Sequence, residues 1–263
     1  MLSAWMGFIR MTSSPELSLV VRDLAVSFPD KDGRLEVLEN INFSIRKNEF
    51  VCLIGPSGGG KSTLLRTLAG LIPYEHGTIE YPDLQGRQAR TGLVFQKPNL
   101  MPWRTLVQNI ALPLELAGRP QSEIDEKTAE MVKLTGLQGF EHNWAHELSG
   151  GMAQRVAIAR SLVQNPDILL MDEPFGSLDE LTRERMSEEL LRIWNQKTKT
   201  ILMVTHSISE AVYLADRVLV LSSHPSGIVL DLPIDLSRPR DRDVRYTQTF
   251  TQSAQILHDH LQI

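Results

Sequence analysis

Short apolar runs alternate with amphipathic stretches along most of the chain. Residues 17–28 and 38–45 alternate apolar with polar positions and are rich in β-branched side chains, which is typical of half-buried strands. The turn-like sequence DKDG lies between them, so we predict an antiparallel β-region at the start of the fold. Further short apolar runs predict buried strands at 50–55, 91–96, 167–174, 200–206 and 217–223.

Helical spacing of apolar residues fills the intervals between these strands. The predicted helices run from Ser62 to Leu71 and at about 105–117, 122–135, 150–164, 179–197 and 207–215. Strands that alternate with helices favour a parallel sheet with helices on both faces. Because no strand interrupts the helices between about 105 and 163, we predict a separate helical subdomain there.

The same pattern divides the chain into segments. We assign residues 1–16 to an N-terminal extension, 17–250 to a single domain whose helical subdomain occupies about 100–163, and 251–263 to a C-terminal helix. The extension lacks the basic region and the small-residue cleavage site of a signal peptide, and Met1, Met6 and Met11 are all possible translation starts. No apolar run approaches the roughly 18 residues that a membrane helix needs.

Composition and charge narrow the class of protein. The chain has 263 residues, of which 42% are hydrophobic and 22% are charged, as in ordinary globular domains. Its formal net charge of -5 provides no basic field, so nucleic acid is a disfavoured partner. The one cysteine, Cys52, lies in the apolar run FVCLI, and we interpret it as a buried core residue of a protein from a reducing compartment.

A glycine-rich phosphate loop (P-loop) is the strongest chemical signal. GPSGGGKS at 55–62 matches G-x-x-x-x-G-K-[ST] and lies between a predicted strand and a predicted helix, as the motif requires. The alternative interpretation, a glycine-rich turn with a solvated lysine, would not require this position. The glycines let successive N–H groups face the phosphates, and the helix start adds its positive end. The predicted nucleotide-binding residues are Gly55, Pro56, Ser57, Gly58, Gly59, Gly60, Lys61, Ser62 and Thr63, with Lys61 on the β/γ-phosphates and Ser62 on Mg²⁺.

Two acidic residues end the apolar run DILLMDEP. Adjacent carboxylates at a buried strand end are costly unless they meet a cation or a proton. Mg²⁺ beside Asp172 would offset that cost, and Glu173, which the strand pleat would turn the other way, would polarise the attacking water. Taken without the P-loop, the same pair would be interpreted as a helix cap.

A second glycine-rich helix start lies within ELSGGMAQR at 147–155. Ser149 is predicted to cap the helix that follows, and Gly150 and Gly151 leave its first amides open to an anion. The chain therefore contains two phosphate-binding sequences, far apart along its length.

These sequences resemble those of one family, the nucleotide-binding subunits of ATP-binding cassette (ABC) transporters. ELSGGMAQR is similar to the family's signature sequence, and matches to its glutamine loop, D-loop and switch histidine are VFQ at 94–96, GSLD at 176–179 and TH at 205–206. Their order and spacing agree with the family from about residue 17 to 240. The resemblance implies an α/β fold with a P-loop NTPase (RecA-like) core, a parallel sheet, an N-terminal antiparallel β-subdomain and an inserted α-helical subdomain.

The resemblance also implies roles for the matching side chains, with ATP and Mg²⁺ as ligands. Gln96 would bring its amide to Mg²⁺ and the attacking water, and His206 would contact the γ-phosphate and hold Glu173 in place. Phe28 would stack on adenine. The implied catalytic residues are Glu173, His206, Gln96 and Lys61, and the implied metal ligands are Ser62, Gln96 and Asp172.

The second phosphate-binding sequence is explained in the family by a head-to-tail dimer. Ser149, Gly150 and Gly151 would grip the γ-phosphate held by the P-loop of a second ATPase subunit. Asp179 would act across the same interface. The sequence departs from the common pattern of the family at two positions, and neither departure argues against ATP binding. Met152 replaces a frequent glutamine in the signature, but methionine is common at that position in one branch of importers. Gly59 lies in the P-loop, which binds phosphate through its backbone and therefore tolerates a change of side chain.

Two shorter sequences indicate which branch of the family the chain resembles. PWRT at 102–105 and RPRDRD at 238–243 resemble the nitrate, sulfonate and taurine importer ATPases. The implied function is ATP hydrolysis that drives uptake of a small solute, such as nitrate, sulfonate, taurine or bicarbonate. We predict that Leu100 to Thr105 receive a cytoplasmic helix of the permease, with Trp103 as an interface anchor.

The implied partners are an integral-membrane permease and, indirectly, an extracytoplasmic solute-binding protein. The chain would then lie on the cytoplasmic face of the inner or plasma membrane, held there by the permease. One alternative is an importer of another small solute, such as a thiamine-precursor pyrimidine. A second is a soluble ABC ATPase that acts on nucleic acid or ribosomes, a class that usually carries two cassettes or a coiled-coil insertion.

Overall fold

Two sheets and a helical region form the fold of the computed structural model, which describes residues 16–30, 33–84, 86–223 and 226–261. The strands are β1 (Leu17–Asp30), β2 (Gly33–Arg46), β3 (Phe50–Ile54), β4 (His76–Glu80), β5 (Thr91–Val94), β6 (Ile168–Asp172), β7 (Thr200–Val204), β8 (Arg217–Leu221) and β9 (Ile228–Pro233). The helices are α1 (Lys61–Leu68), α2 (Leu106–Leu116), α3 (Gln121–Leu134), α4 (Gly150–Leu162), α5 (Glu180–Gln196), α6 (Ile208–Leu214) and α7 (Gln248–Leu261).

The predicted parallel sheet is confirmed as the larger of the two. Its six strands have the order β5-β6-β7-β3-β8-β9, and every pair in it is parallel except β8 with the edge strand β9. Strands β3, β6 and β7 are buried at every position, which is why their sequences are continuous apolar runs. The carboxyl ends of these three strands meet at one edge, where the candidate site lies.

The antiparallel β-region is confirmed as a three-stranded sheet with the order β2-β1-β4. Strand β4 was not predicted, because HGTIE has a single large apolar residue and exposes every second position. Gly77 in this strand has φ 95, and a Cβ there would lie 2.5 Å from the carbonyl oxygen of Arg22. The close approach of two backbones therefore requires glycine at this position.

The helices α2, α3 and α4 lie between β5 and β6 in sequence and form the predicted helical region. Their apolar faces join one core with the sheet, through Ile110, Met131 and Val156 among others. Helix α2 begins at a capping box, in which Thr105 accepts from the amide of Gln108 and the Gln108 side chain accepts from the amide of Thr105. In the described parts of the chain, no helix has the length and apolar character needed to traverse a lipid bilayer.

Several boundaries differ from the predictions. Helix α1 ends at Leu68 rather than near Leu71, because Gly70 adopts φ 73 and stops it. Helix α7 begins at Gln248, ahead of the predicted boundary at 251. Residues 1–15 of the predicted extension, with its possible start codons, lie outside the described residues. Cys52, at the centre of β3, is fully buried as predicted.

Candidate functional site

The P-loop connects β3 to α1 at the carboxyl edge of the sheet. Gly58 and Gly60 have φ 79 and φ 74, and a Cβ on Gly60 would lie 2.7 Å from Leu38 Cδ2. Only glycine combines this backbone with so close a neighbour. The glycines therefore fix the curved backbone of the P-loop, and the N-terminal amides of α1 lie next to it.

Lys61 bends back over this loop. Its Nζ donates to the carbonyl oxygens of Gly55 at 3.0 Å and Pro56 at 2.7 Å. Burial lowers the pKa of the Lys61 ammonium, and the nearby Glu173 and Asp172 carboxylates oppose that shift. The ammonium is therefore held where the phosphates of a nucleotide in the loop would need a cation.

Ser62 and Asp172 come together although they lie on different elements. Ser62 Oγ, in the first turn of α1, donates to Asp172 Oδ1 at 2.7 Å at the end of β6. Asp172 is 5% exposed, and Arg66 Nη2 lies 3.5 Å from its Oδ2. A hydroxyl and a carboxylate are the hard oxygen ligands that Mg²⁺ prefers, so the pair fits the predicted metal position.

Glu173 does not continue the pleat of β6, and the prediction that pleating turns its side chain is wrong. The strand ends at Asp172, and Glu173 has φ 46, a left-handed backbone that is uncommon for a residue other than glycine. Its amide still donates to the carbonyl oxygen of Val204 at 3.0 Å. A left-handed turn, not strand alternation, therefore gives the carboxylate its direction.

The carboxylate of Glu173 lies near the side chains of two distant segments. His206 Nδ1 lies 3.1 Å from Glu173 Oε2. A Cβ on Gly176 would lie 3.1 Å from Gln96 Nε2 and 3.2 Å from Glu173 Oε2, so the amide and the carboxylate converge over this glycine. The structure thus gathers Glu173, His206 and Gln96 beside the P-loop, and Gly176 was not predicted as part of the set.

A cavity of about 370 Å³ lies over the P-loop. It is lined by residues 57–63, by Glu173 and by Leu35 and Val37 of β2. Phe28 does not line this cavity, but it pairs with Leu35 across the antiparallel sheet and is 36% exposed. The stacking of Phe28 on adenine stays a prediction. Leu35 and Val37 were missed, although the alternation of LEVLE places both on one face of the strand.

The second phosphate-binding sequence forms a separate cavity. Ser149 Oγ accepts from the amide of Met152 at 3.3 Å, which caps α4 as predicted. Gly150 and Gly151 line a cavity of about 600 Å³ with Ser149 and Asp179, and Asp179 caps α5 by accepting from the amide of Thr182 at 3.0 Å. This cavity shares no lining residue with the cavity over the P-loop. Within one copy of the chain, the predicted nucleotide-binding residues other than Phe28 therefore form two groups.

The chain matches known proteins over most of its length. A family model described as ABC transporter matches residues 38–176. An uncharacterised ABC transporter ATP-binding protein from Methanocaldococcus jannaschii is 47% identical over 229 residues, covering 86% of each chain. The nitrate import ATP-binding protein NrtD from Synechocystis is 46% identical, covering 89% of this chain and 88% of its own. The aliphatic sulfonates import ATP-binding protein SsuB from Bacillus thuringiensis is 42% identical, covering 90% and 92%.

Solved structures agree with these relatives. A dimeric structure of a bacterial ABC transporter cassette covers 83% of this chain and 100% of its own, with a TM-score of 0.71 and 31% identity. A dimeric post-hydrolysis state of the same cassette, bound to ADP and Pi, has a TM-score of 0.71 and 29% identity. The chain therefore belongs to the ABC transporter family, as a subunit that binds and hydrolyses ATP.

Proposed function

We propose that the chain powers the import of a small anionic solute, with nitrate and alkanesulfonates as the first candidates. The likeness to nitrate and sulfonate import proteins over about nine-tenths of the chain carries this proposal. Taurine, bicarbonate and an uncharged solute such as a thiamine-precursor pyrimidine are the alternatives. A role on nucleic acid or ribosomes is disfavoured by the net charge of -5.

In the proposed reaction, water attacks the γ-phosphate in line with the leaving oxygen, and the protein supplies position and charge. The Glu173 carboxylate accepts a proton from the attacking water, and His206, at 3.1 Å from that carboxylate, holds it in place. Lys61 neutralises charge that develops on the phosphates. Ser62, Asp172 and Gln96 would hold Mg²⁺, which would supply further positive charge to the phosphates.

We infer that two copies of the chain form the working ATPase. Ser149, Gly150, Gly151 and Asp179 line a cavity apart from their own P-loop, and the capped start of α4 is suited to an anion. In a head-to-tail dimer this cavity would face the P-loop cavity of the second copy. Each ATP would then be bound between the two subunits.

The permease is proposed to bind around Trp103. This side chain is 69% exposed, whereas the loop that carries it is held firmly by the buried Asn109. The Asn109 side chain accepts from the amide of Met101 and donates to the carbonyl oxygens of Met101, Arg104 and Thr105. A large aromatic side chain on a preorganised loop has the properties of an interface hot spot. Through the permease, the chain would be held at the cytoplasmic face of the membrane, and a solute-binding protein would deliver solute from the other side.

Replacing Trp103 by alanine tests this interface. Uptake of labelled solute by cells that also express the permease should fall by at least about tenfold, because hot-spot side chains contribute about 2 kcal/mol or more. ATP binding by the isolated chain should not change. Tyr246→Ala, at an 86% exposed position in the C-terminal segment, serves as the control. Normal uptake by the Trp103 variant would remove this loop from the proposed interface.

The solute is identified by growth of a strain that lacks the chain. The strain should fail to grow on nitrate as the sole nitrogen source, or on an alkanesulfonate as the sole sulfur source. The wild-type chain should restore growth, and the Glu173→Gln chain should not. Growth on every such source, together with copurification of the chain with ribosomes, would contradict a role in import.

A further inference from the structure

Glu210 is a buried carboxylate close to the candidate catalytic residues but outside the set described above. It lies in α6 and is 6% exposed. Glu210 Oε2 accepts from the hydroxyl of Thr205, and that hydroxyl in turn accepts from the amide of Ser207 at 3.0 Å. The Ser207 hydroxyl accepts from the amide of Glu210 at 3.2 Å. The residues on both sides of His206 are therefore held by Glu210.

Arg183 connects this ring of hydrogen bonds to a second segment. Arg183 Nε lies 3.7 Å from Glu210 Oε1, an oxygen with no hydrogen-bond partner of its own. The same guanidinium donates to the carbonyl oxygens of Leu178 at 2.9 Å and Phe175 at 3.4 Å. These carbonyls belong to the turn between Glu173 and α5.

Cationic side chains near Glu210 favour its ionised form between the two segments. Burial raises the pKa of the Glu210 carboxyl, while the Thr205 hydrogen bond and the cationic Arg183 act in the opposite direction. His206 and Arg245, the latter from the C-terminal segment, also lower it. A buried carboxylate that is tied to two loops transmits a shift of one loop to the other, because breaking such an ion pair leaves an uncompensated charge.

We propose that Glu210 is a positioning residue for ATP hydrolysis, which together with Arg183 fixes the loop carrying His206 relative to the turn carrying Phe175 and Leu178. That turn begins at Glu173 and ends at Asp179, so the pair fixes the positions of His206, the Glu173 carboxylate and Asp179 relative to one another. Glu210 touches none of the reacting atoms. The proposal rests on ATP hydrolysis alone and is independent of the solute.

Glu210→Gln tests the proposal, because the amide oxygen can still accept from Thr205 while the charge that attracts Arg183 is lost. The kcat for ATP should fall about tenfold with an unchanged KM, since the catalytic groups are misplaced but the nucleotide contacts remain. In a His206→Ala background the same substitution should lower kcat by a smaller factor than in the wild type, because one of the groups that Glu210 positions is already missing. Glu188→Gln, which breaks the ion pair of Glu188 with Arg242 on the outer side of α5, should leave turnover unchanged.

Amide hydrogen exchange provides a measurement that does not depend on turnover. In Glu210→Gln, exchange should become faster in residues 175–179 as well as in 205–210, and it should stay at the wild-type rate in Glu188→Gln. Faster exchange in 205–210 alone would show that Glu210 has only a local structural role and would overturn the proposal. The proposal would also be overturned if the fold-loss of kcat in the double variant equalled the product of the losses in Glu210→Gln and His206→Ala, because the two residues would then act independently. The wild-type rate of ATP hydrolysis, measured alongside, reports separately on the ATPase activity itself.

Discussion

Glu173→Gln isolates proton transfer from the other functions of the site. Glutamine has nearly the same shape as glutamate, so its side-chain oxygen can keep the 3.1 Å contact with His206 Nδ1. The left-handed backbone at Glu173 is tied to Val204 through its amide, and this bond does not involve the side chain. The variant therefore retains the geometry and loses only the group that accepts a proton from water.

The expected loss in kcat is about 10²- to 10⁴-fold, the usual contribution of a general base. At about 1.4 kcal/mol for each factor of ten, this corresponds to an increase of roughly 3 to 6 kcal/mol in the activation free energy. ATP affinity should stay equal or improve, because the substitution removes a negative charge from the lining of the P-loop cavity. A dimer that binds ATP but cannot hydrolyse it should then accumulate.

Two measurements check these expectations. Phosphate release at saturating ATP and Mg²⁺ gives kcat, and size-exclusion chromatography with ATP shows whether dimers accumulate. Glu126→Gln, an exposed carboxylate on α3, is the matched control and should behave as wild type. If Glu173→Gln retained a kcat within about threefold of the wild type, another group would have to be the base, and the assignment of Glu173 would be refuted.

Caps and ion pairs elsewhere in the chain contribute to its stability. Arg240→Met should lower the free energy of unfolding by about 3 kcal/mol in urea titrations, with exposed Arg119→Met as the control, because the buried Arg240 guanidinium donates to three carbonyls around the end of α6. Ser149→Ala should cost about 1 kcal/mol by loss of its helix cap and should also weaken the ATP-dependent dimer; a variant as stable as the wild type would contradict the cap. Arg87 holds the pKa of the Asp167 carboxyl well below its usual range, so the ionised carboxylate stabilises the fold above about pH 4, and this stabilisation is lost as the pH falls through the lowered pKa. Asp167→Asn should therefore be less stable than wild type at pH 7, and the two stabilities should converge in acid.

Elements buried on both faces were the easiest to predict from the sequence. Strands β3, β6 and β7 are continuous apolar runs because both sides of the sheet are covered, and their positions agree with the predictions. Helices cover one side as predicted, whereas the other side packs on the antiparallel sheet together with α1. Strand β4 was missed for the opposite reason. It lies at the edge of a small sheet and exposes alternate residues, so its local pattern is not distinct from that of a loop.

Local sequence pattern predicted the parts of the candidate site that depend on neighbouring residues, and the family resemblance added Gln96 and His206. The P-loop and the cap at Ser149 depend on neighbouring residues, and the structure contains them as expected. The direction of Glu173 depends on a left-handed turn, which no apolar periodicity encodes. The bridge from Glu210 to Arg183 joins segments that are distant in sequence, so only tertiary packing brings it together.

The burial of Cys52 has a practical consequence for testing the proposed dimer. The chain contains one cysteine, and burial raises the pKa of its thiol, so the reactive thiolate is scarce under native conditions. Maleimide reagents should therefore leave the wild-type protein unlabelled. A cysteine introduced at the exposed Thr251 on α7 would accept a spin label without prior removal of a native thiol. A defined distance between two such labels in the presence of ATP would then show whether two copies pair in solution as proposed.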